Sequence, residues 1–159
     1  MKASVTVTRT SGQQQFAARL EKLKKAEVLV GIPQDKSLRT TGEVTNAQLL
    51  FIHTNGSPLR NITARPVIQP AIKAPDNAKR ISAELKQAAQ SILEGDPDAA
   101  HQHLEKAGTL GANASKRWFT DPRNGWRGNA ESTIEAKGSD KPLIDTGELR
   151  RDLTYVVKD

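Results

Sequence analysis

DPDAAHQHLEKAGTLGANASKRW, residues 96–118, is the stretch on which the fold turns. Asp96 followed by Pro97 supplies an N-cap and a first-turn proline, the ordinary opening of a helix. Leu104, Ala107, Gly111, Ala114 and Trp118 then recur at intervals of 3, 4, 3 and 4, which marks one face of a long helix. Small residues at Ala107, Gly108, Gly111 and Ala112 let another helix approach closely, at some cost in helix stability. Just upstream, Ile81, Leu85, Ala88 or Ala89, and Ile92 form a second stripe, capped by Asp76 and stopped by Gly95. Two such stripes on either side of a short break predict an antiparallel helical pair at the centre of the chain.

Toward the N-terminus, SVTVTRT (Ser4–Thr10) alternates valine with threonine, the period-2 pattern of a half-buried strand. Ser11 caps a helix carrying Phe16, Leu20 and Leu23 on one face and Arg19, Lys22 and Lys24 on the other. EVLVGIP (Glu27–Pro33) reads as a second strand stopped by Gly31 and Pro33. The opening is therefore strand, helix, strand, with a helix long enough to cross the sheet and cover one face. A polar loop follows, and then NAQLLFIHTNG (Asn46–Gly56) fits a short helix; a strand ending in an Asn-Gly turn is the alternative. Pro58, Pro66, Pro70 and Pro75 each bias the residue before them away from the helical region, so this stretch reads as a connector with one turn of helix at most.

The C-terminal side begins with TDPRNGWRGNAESTIEAKGSDK (120–141), a polar, glycine-containing run of the length that compact domains reserve for function or disorder. Its Trp126, between Arg123 and Arg127, either folds back onto the core or anchors a partner. KPLIDTGELRRDLTYVVKD (141–159) closes the chain. With Asp145 as N-cap, Glu148 falls where a capping box needs it, and Ile144 and Leu149 fall where a hydrophobic staple needs them, so a helix is expected from Thr146. Leu153, Tyr155 and Val157 then alternate as a strand that returns to the sheet. Together these elements predict an α+β fold. A small, mostly antiparallel sheet packs against an N-terminal helix and a central helical hairpin, in a single domain over 1–159 with long polar loops.

Hydrophobic residues make up 36% of the chain and aromatics 4%, so the expected core is aliphatic and modest. There is no cysteine, which removes disulfides and thiolate metal sites from consideration. MKASVTVTRTSG lacks the apolar run of a signal peptide, and no stretch reaches the roughly 18 apolar residues of a membrane span. A soluble protein with no membrane partner is expected. The formal net charge of +6 permits nucleic acid or an acidic protein surface as partner, and equally a basic protein with neither.

Catalytic patterns are missing: no H-E-x-x-H, no P-loop and no G-x-G-x-x-G. His101 and His103, two apart on a helix, face different directions and read as surface residues. His53 reads as a packed or partly exposed histidine. No carboxylate pair or serine constellation stands out, and neither enzyme activity, cofactor nor metal is expected.

Three stretches carry a resemblance. VLVGIP (Val28–Pro33) is the first, and IHTNGSPLRNITARPVIQPAI (Ile52–Ile72), centred on Ala64-Arg65-Pro66, is the second. The third runs through Trp126, Thr133-Ile134, Lys137-Gly138 and Lys141–Leu149 to Tyr155-Val156-Val157. In order and spacing they resemble the virion morphogenesis proteins of tailed bacteriophages: the neck, collar and tail-completion proteins of the head–tail junction. The chain departs from that pattern at Thr63 and Val67, where the family usually has a proline and an aromatic, and at the Arg-Gly-Asn after Trp126.

The resemblance implies a non-catalytic protein made in the host cytoplasm and built into the virion. There it would form a sixfold or twelvefold ring around the DNA channel, beside portal or connector and tail proteins, with non-specific contact to packaged DNA. On that reading Arg60, Arg65, Arg123, Trp126, Arg127 and Lys137 are candidate assembly residues, and loops 33–45, 54–75 and 119–141 supply the contacts. The arginines read equally well as solvated charges. Pro66, Asp145, Gly147 and Glu148 are expected to set backbone geometry.

Overall fold

The computed structural model describes residues 11–36, 38 and 44–158. The strand expected over Ser4–Thr10 lies outside them, as do residues 37 and 39–43 of the expected loop 33–45. The described chain is α+β. Its elements are α1 (Ser11–Lys25), β1 (Glu27–Gly31), α2 (Asn46–Asn55), α3 (Ile68–Lys73), α4 (Pro75–Glu94), α5 (Pro97–Trp118), α6 (Glu131–Lys137), α7 (Glu148–Asp152) and β2 (Thr154–Lys158).

The antiparallel pair α4 and α5 is the scaffold. Gly95 adopts φ 87°, and its N–H donates to the carbonyls of Ser91 and Ile92, closing α4 in the left-handed conformation that glycine adopts without steric cost. One residue later, the Asp96 carboxylate accepts from the Ala99 N–H at 3.0 Å, and α5 begins. All five residues of the expected stripe on α5, from Leu104 to Trp118, are buried. Between the helices, Glu84 Oε2 and His103 Nδ1 lie 2.7 Å apart.

Two of the small residues of α5, Gly108 and Gly111, receive the strands, and Gly111 also faces Ile72 of α3. β1 and β2, from opposite ends of the described chain, pair antiparallel from Glu27↔Lys158 to Gly31↔Thr154. A Cβ on Gly108 would overlap the Tyr155 ring, and one on Gly111 would come within 2.9 Å of Val30 Cγ2. The Tyr155 hydroxyl donates to Glu105 Oε2 at 2.7 Å and accepts from Thr109 Oγ1 at 3.2 Å, so the ring has little freedom to retreat. Gly108→Ala is accordingly expected to destabilise by about 1–3 kcal/mol through overpacking, although alanine favours the helix by up to about 1 kcal/mol. Thermal denaturation gives the sign; a stabilised variant would mean that Tyr155 does not seat on α5.

Several local expectations are corrected. α1 leans on α4 instead of covering the sheet: Arg19 Nη1 donates to the Leu93 carbonyl at 2.8 Å, satisfying an acceptor that the helix end leaves open. α4 is preceded by Ala74 as N-cap with Pro75 at its first position, so Asp76 lies within the first turn and does not cap. The proline-rich connector holds a 3-10 turn (Pro58–Arg60) and the six-residue α3. Pro70 fits there because the third residue of a helix has an N–H with no intrahelical partner, so none is lost. The expected loop 119–141 contains a 3-10 turn (Pro122–Asn124) and α6.

The expected capping box at Asp145 does not form either. α7 starts at Glu148, with Gly147 at φ 79° in the N-cap position. The Glu148 N–H points back to Thr146 Oγ1 at 3.4 Å, a local turn that displaces the helix start by two residues. The apolar half of the device survives: Leu149 is buried and Ile144 packs against the same core.

That core lies at the C-terminal end of α5. Leu50 from α2, Val67 and Ala71 from the α3 region, Trp118, Phe119, Leu149 and Leu153 meet there. Each fully buried aliphatic side chain contributes about 1.5–3 kcal/mol, which fixes the short helices to α5 without any strand.

Candidate assembly surface

Beside this core, the second and third resembling stretches fold against each other. α2 is set by Thr45, whose hydroxyl accepts from the Gln48 N–H at 3.2 Å while Gln48 Oε1 accepts from the Thr45 N–H at 2.9 Å, a complete capping box. The helix ends at Gly56. Ser57 and Ile62 then form a two-hydrogen-bond bridge (2.8 and 2.9 Å) that closes the turn Pro58–Asn61. The chain returns so that the Arg65 N–H donates to the His53 carbonyl at 2.6 Å. From there the Arg65 guanidinium crosses to the third stretch, where Nη2 donates to the Arg127 carbonyl at 3.1 Å.

The third stretch is held by further ties of the same kind. Lys137 Nζ donates to the carbonyls of Lys141 (2.6 Å) and Ile144 (2.8 Å), and Asn129 Nδ2 to that of Asp140 (3.0 Å). Trp126 and Phe119 form a T-shaped pair, centroids 6.0 Å apart at 84°. Arg123 is gripped by Asp121 (Nη2 to Oδ2, 2.7 Å) and reaches Asp76 Oδ1 at 3.0 Å, with its guanidinium carbon 5.7 Å from the Trp118 ring centroid. That grip lowers the Asp121 carboxyl to about 2, chiefly through the side-chain hydrogen bonds from Arg123. Asp76 is lowered for the same first reason, and the Arg123 guanidinium is held still more firmly protonated by its two carboxylates.

A cleft of about 310 Å³ remains where the two stretches meet, lined by His53, Arg65, Lys137, Asp145, Gly147 and Glu148 among others. Burial, then the charge of Arg65, pushes His53 below its ordinary value and favours the neutral ring. Three buried polar atoms in residues of this lining, Asn46 Oδ1, His53 Nδ1 and Arg65 Nε, find no partner among the described residues. Among the described residues no group of three or more His, Cys, Asp or Glu is placed to hold a metal ion, and no helix is long and apolar enough to cross a membrane.

The sequence-derived candidates thus divide. Arg65, Arg123, Trp126 and Lys137 are internal ties that give the third stretch its shape. Arg60 and Arg127 have exposed side chains, and so does Asp145; Pro66 delivers the chain to the fully buried Val67. Gly147 sets the start of α7, and Glu148 lines the cleft. Sequence reasoning overlooked the exposed apolar residues Phe51 and Leu59, the latter fully exposed at the tip of the bridged turn. A signal for Phe51 exists: Leu49–Ile52 is a run of four apolar residues, and a helix cannot turn all four inward. No family model, curated protein or solved structure matches the chain.

Proposed function

We propose that this protein is a structural subunit of the head–tail junction of a tailed bacteriophage. On this reading it is a neck, collar or tail-completion protein that forms a ring around the DNA channel and joins the portal side of the capsid to the tail. The observation that carries the reading is the convergence just described. The stretches Ile52–Ile72 and Trp126–Leu149, which bear the resemblance, are tied into one surface by Arg65 and the cleft beneath it. Exposed apolar side chains support it. Phe51 and Leu59 lie on and just after α2, Phe16 and Leu20 lie on α1, and head-to-tail rings need two different complementary surfaces on each subunit. The role is mechanical, without catalysis.

Gold-labelled antibody on intact particles, viewed by electron microscopy, tests the reading. Label confined to the junction is expected, together with separate heads and tails when the gene is deleted. Unlabelled particles with an accessible epitope, or normal particles from the deletion, would overturn it. A second reading, a basic nucleic-acid-binding protein, is favoured by the exposed lysines Lys22, Lys24 and Lys25 in the last turn of α1. It requires affinity for short duplex DNA that falls steeply with salt.

A further inference from the structure

Two α-helices of the described chain, α1 and α6, contain no buried residue. They differ in charge. On α1, Arg19, Lys22, Lys24 and Lys25 stand against Glu21 alone, and Glu21 is paired with Lys24 at 2.6 Å. Arg19, Lys22 and Lys25 line a cleft of about 620 Å³ between α1 and the start of α5, whose lining includes Ile92, Ala100 and Leu104 and, among the described residues, no acidic one. On α6, Glu131 and Glu135 are exposed and one turn apart on one side, while the Lys137 ammonium is turned onto the carbonyls of Lys141 and Ile144.

α6 does not reach the cleft of its own chain. The cleft takes Ala100 near one end of α5, whereas the segment carrying α6 is anchored through Trp126 and Leu143 to the core around Trp118 at the other end. Residues 100 to 118 span 18 steps, about 27 Å at 1.5 Å per residue. We propose that α6 of a second copy lies in this cleft. Glu131 and Glu135 would meet the Arg19–Lys22–Lys25 row, and each of the two helices would have a face covered that its own chain leaves exposed. A seven-residue helix is about 10 Å long, and the i,i+3 spacing of Lys22 and Lys25 and the i,i+4 spacing of Glu131 and Glu135 both correspond to about one turn. The contact joins unlike surfaces, so it propagates head to tail and closes a ring when the rotation allows. It rests on the ring of the proposed function and names the surfaces that would build it.

Charge reversal with complementation is the test, read by sedimentation of the purified full chain at low salt. Wild-type protein is expected to self-associate. Lys22→Glu/Lys25→Glu and Glu131→Lys/Glu135→Lys are each expected to weaken association by at least about tenfold, because like charges then face each other. An equimolar mixture of the two variants is expected to recover it, since each then offers the surface the other needs. Circular dichroism of both variants checks that the exposed substitutions leave the fold intact.

A wild-type chain that stays monomeric at its highest soluble concentration overturns the contact, as do well-folded variants that associate undiminished or a mixture that does not recover. Loss of duplex DNA binding in the α1 variant, with self-association untouched, overturns it in favour of nucleic acid in the cleft. None of these outcomes moves the gold label, which decides the junction role separately.

Discussion

Phe119→Ala is expected to cost about 3–5 kcal/mol of stability, the range for removing a buried phenylalanine. Of the three phenylalanines, Phe16 and Phe51 are exposed and Phe119 is 2% exposed, so the one aromatic pair of the core depends on it. Its ring sits where α5 ends and forms a T-shaped pair with Trp126. Alanine leaves a cavity there, and Trp126 loses the surface that draws residues 120–144 against the body. In a domain of this size each kcal/mol corresponds to about 2–4 °C, so the melting midpoint falls on the order of 10 °C. Trp126 should also become more solvent-exposed before global unfolding, seen as a red shift of its fluorescence. Leu59→Ala supplies the contrast: with Leu59 fully exposed, its cost stays within about 0.5 kcal/mol. A Phe119→Ala loss below about 1 kcal/mol would mean that the third stretch is held by something other than this pair.

The difference between these two residues also marks what was legible in the sequence. The α4–α5 hairpin was readable because glycine, a capping aspartate and a long apolar period agree at every level. β1 and β2 were readable as strands from their β-branched alternation, and α2 as a helix from its apolar cluster and Asn-Gly stop. Of the short elements, α7 was readable as a short helix, with its start set two residues too early, and α3 and α6 were not. α3, α6 and α7 are five to seven residues long, below the length at which propensity or periodicity decides; packing at the end of α5 holds α3 and α7, and the Lys137 and Asn129 hydrogen bonds tie α6 to the chain after it. At Asp145 the capping box was present as letters, yet the left-handed Gly147 and the Thr146 hydroxyl offered the backbone a competing turn, and the competitor won.

The candidate site was legible in part, for a related reason. The sequence marked Arg65, Arg123, Trp126 and Lys137 by type and by resemblance, but an arginine that grips a distant carbonyl reads in a sequence like one that faces a partner. Only the crossing from Arg65 to the Arg127 carbonyl distinguishes them. The exposed surface outside these ties is built from residues with weak sequence signals, among them Phe51 and Leu59 and the helices α1 and α6, which contain no buried residue.

Gly56→Ala tests how that surface is shaped, and it is expected to destabilise by at least about 3 kcal/mol. Gly56 ends α2 at φ 74°, ψ 176°, a region that essentially only glycine enters, and occupancy by an L side chain costs of order 1–3 kcal/mol. The added Cβ would also meet two backbone atoms at 2.9 Å, the Ala64 nitrogen and the Ile62 carbonyl oxygen, and neither can rotate away as a side-chain tip does. Relief requires the turn after Gly56 to move. That turn is closed by the Ser57–Ile62 bridge and continues into the Arg65 N–H on the His53 carbonyl, so both contacts must lengthen together. The variant should therefore lose amide-exchange protection at Ile62 and Arg65 ahead of the α4–α5 hairpin, and its melting midpoint should fall on the order of 10 °C. A midpoint within about 2 °C of wild type would show that Gly56 does not hold this geometry in solution, and the bridged turn would lose its standing as a pre-shaped part of the surface.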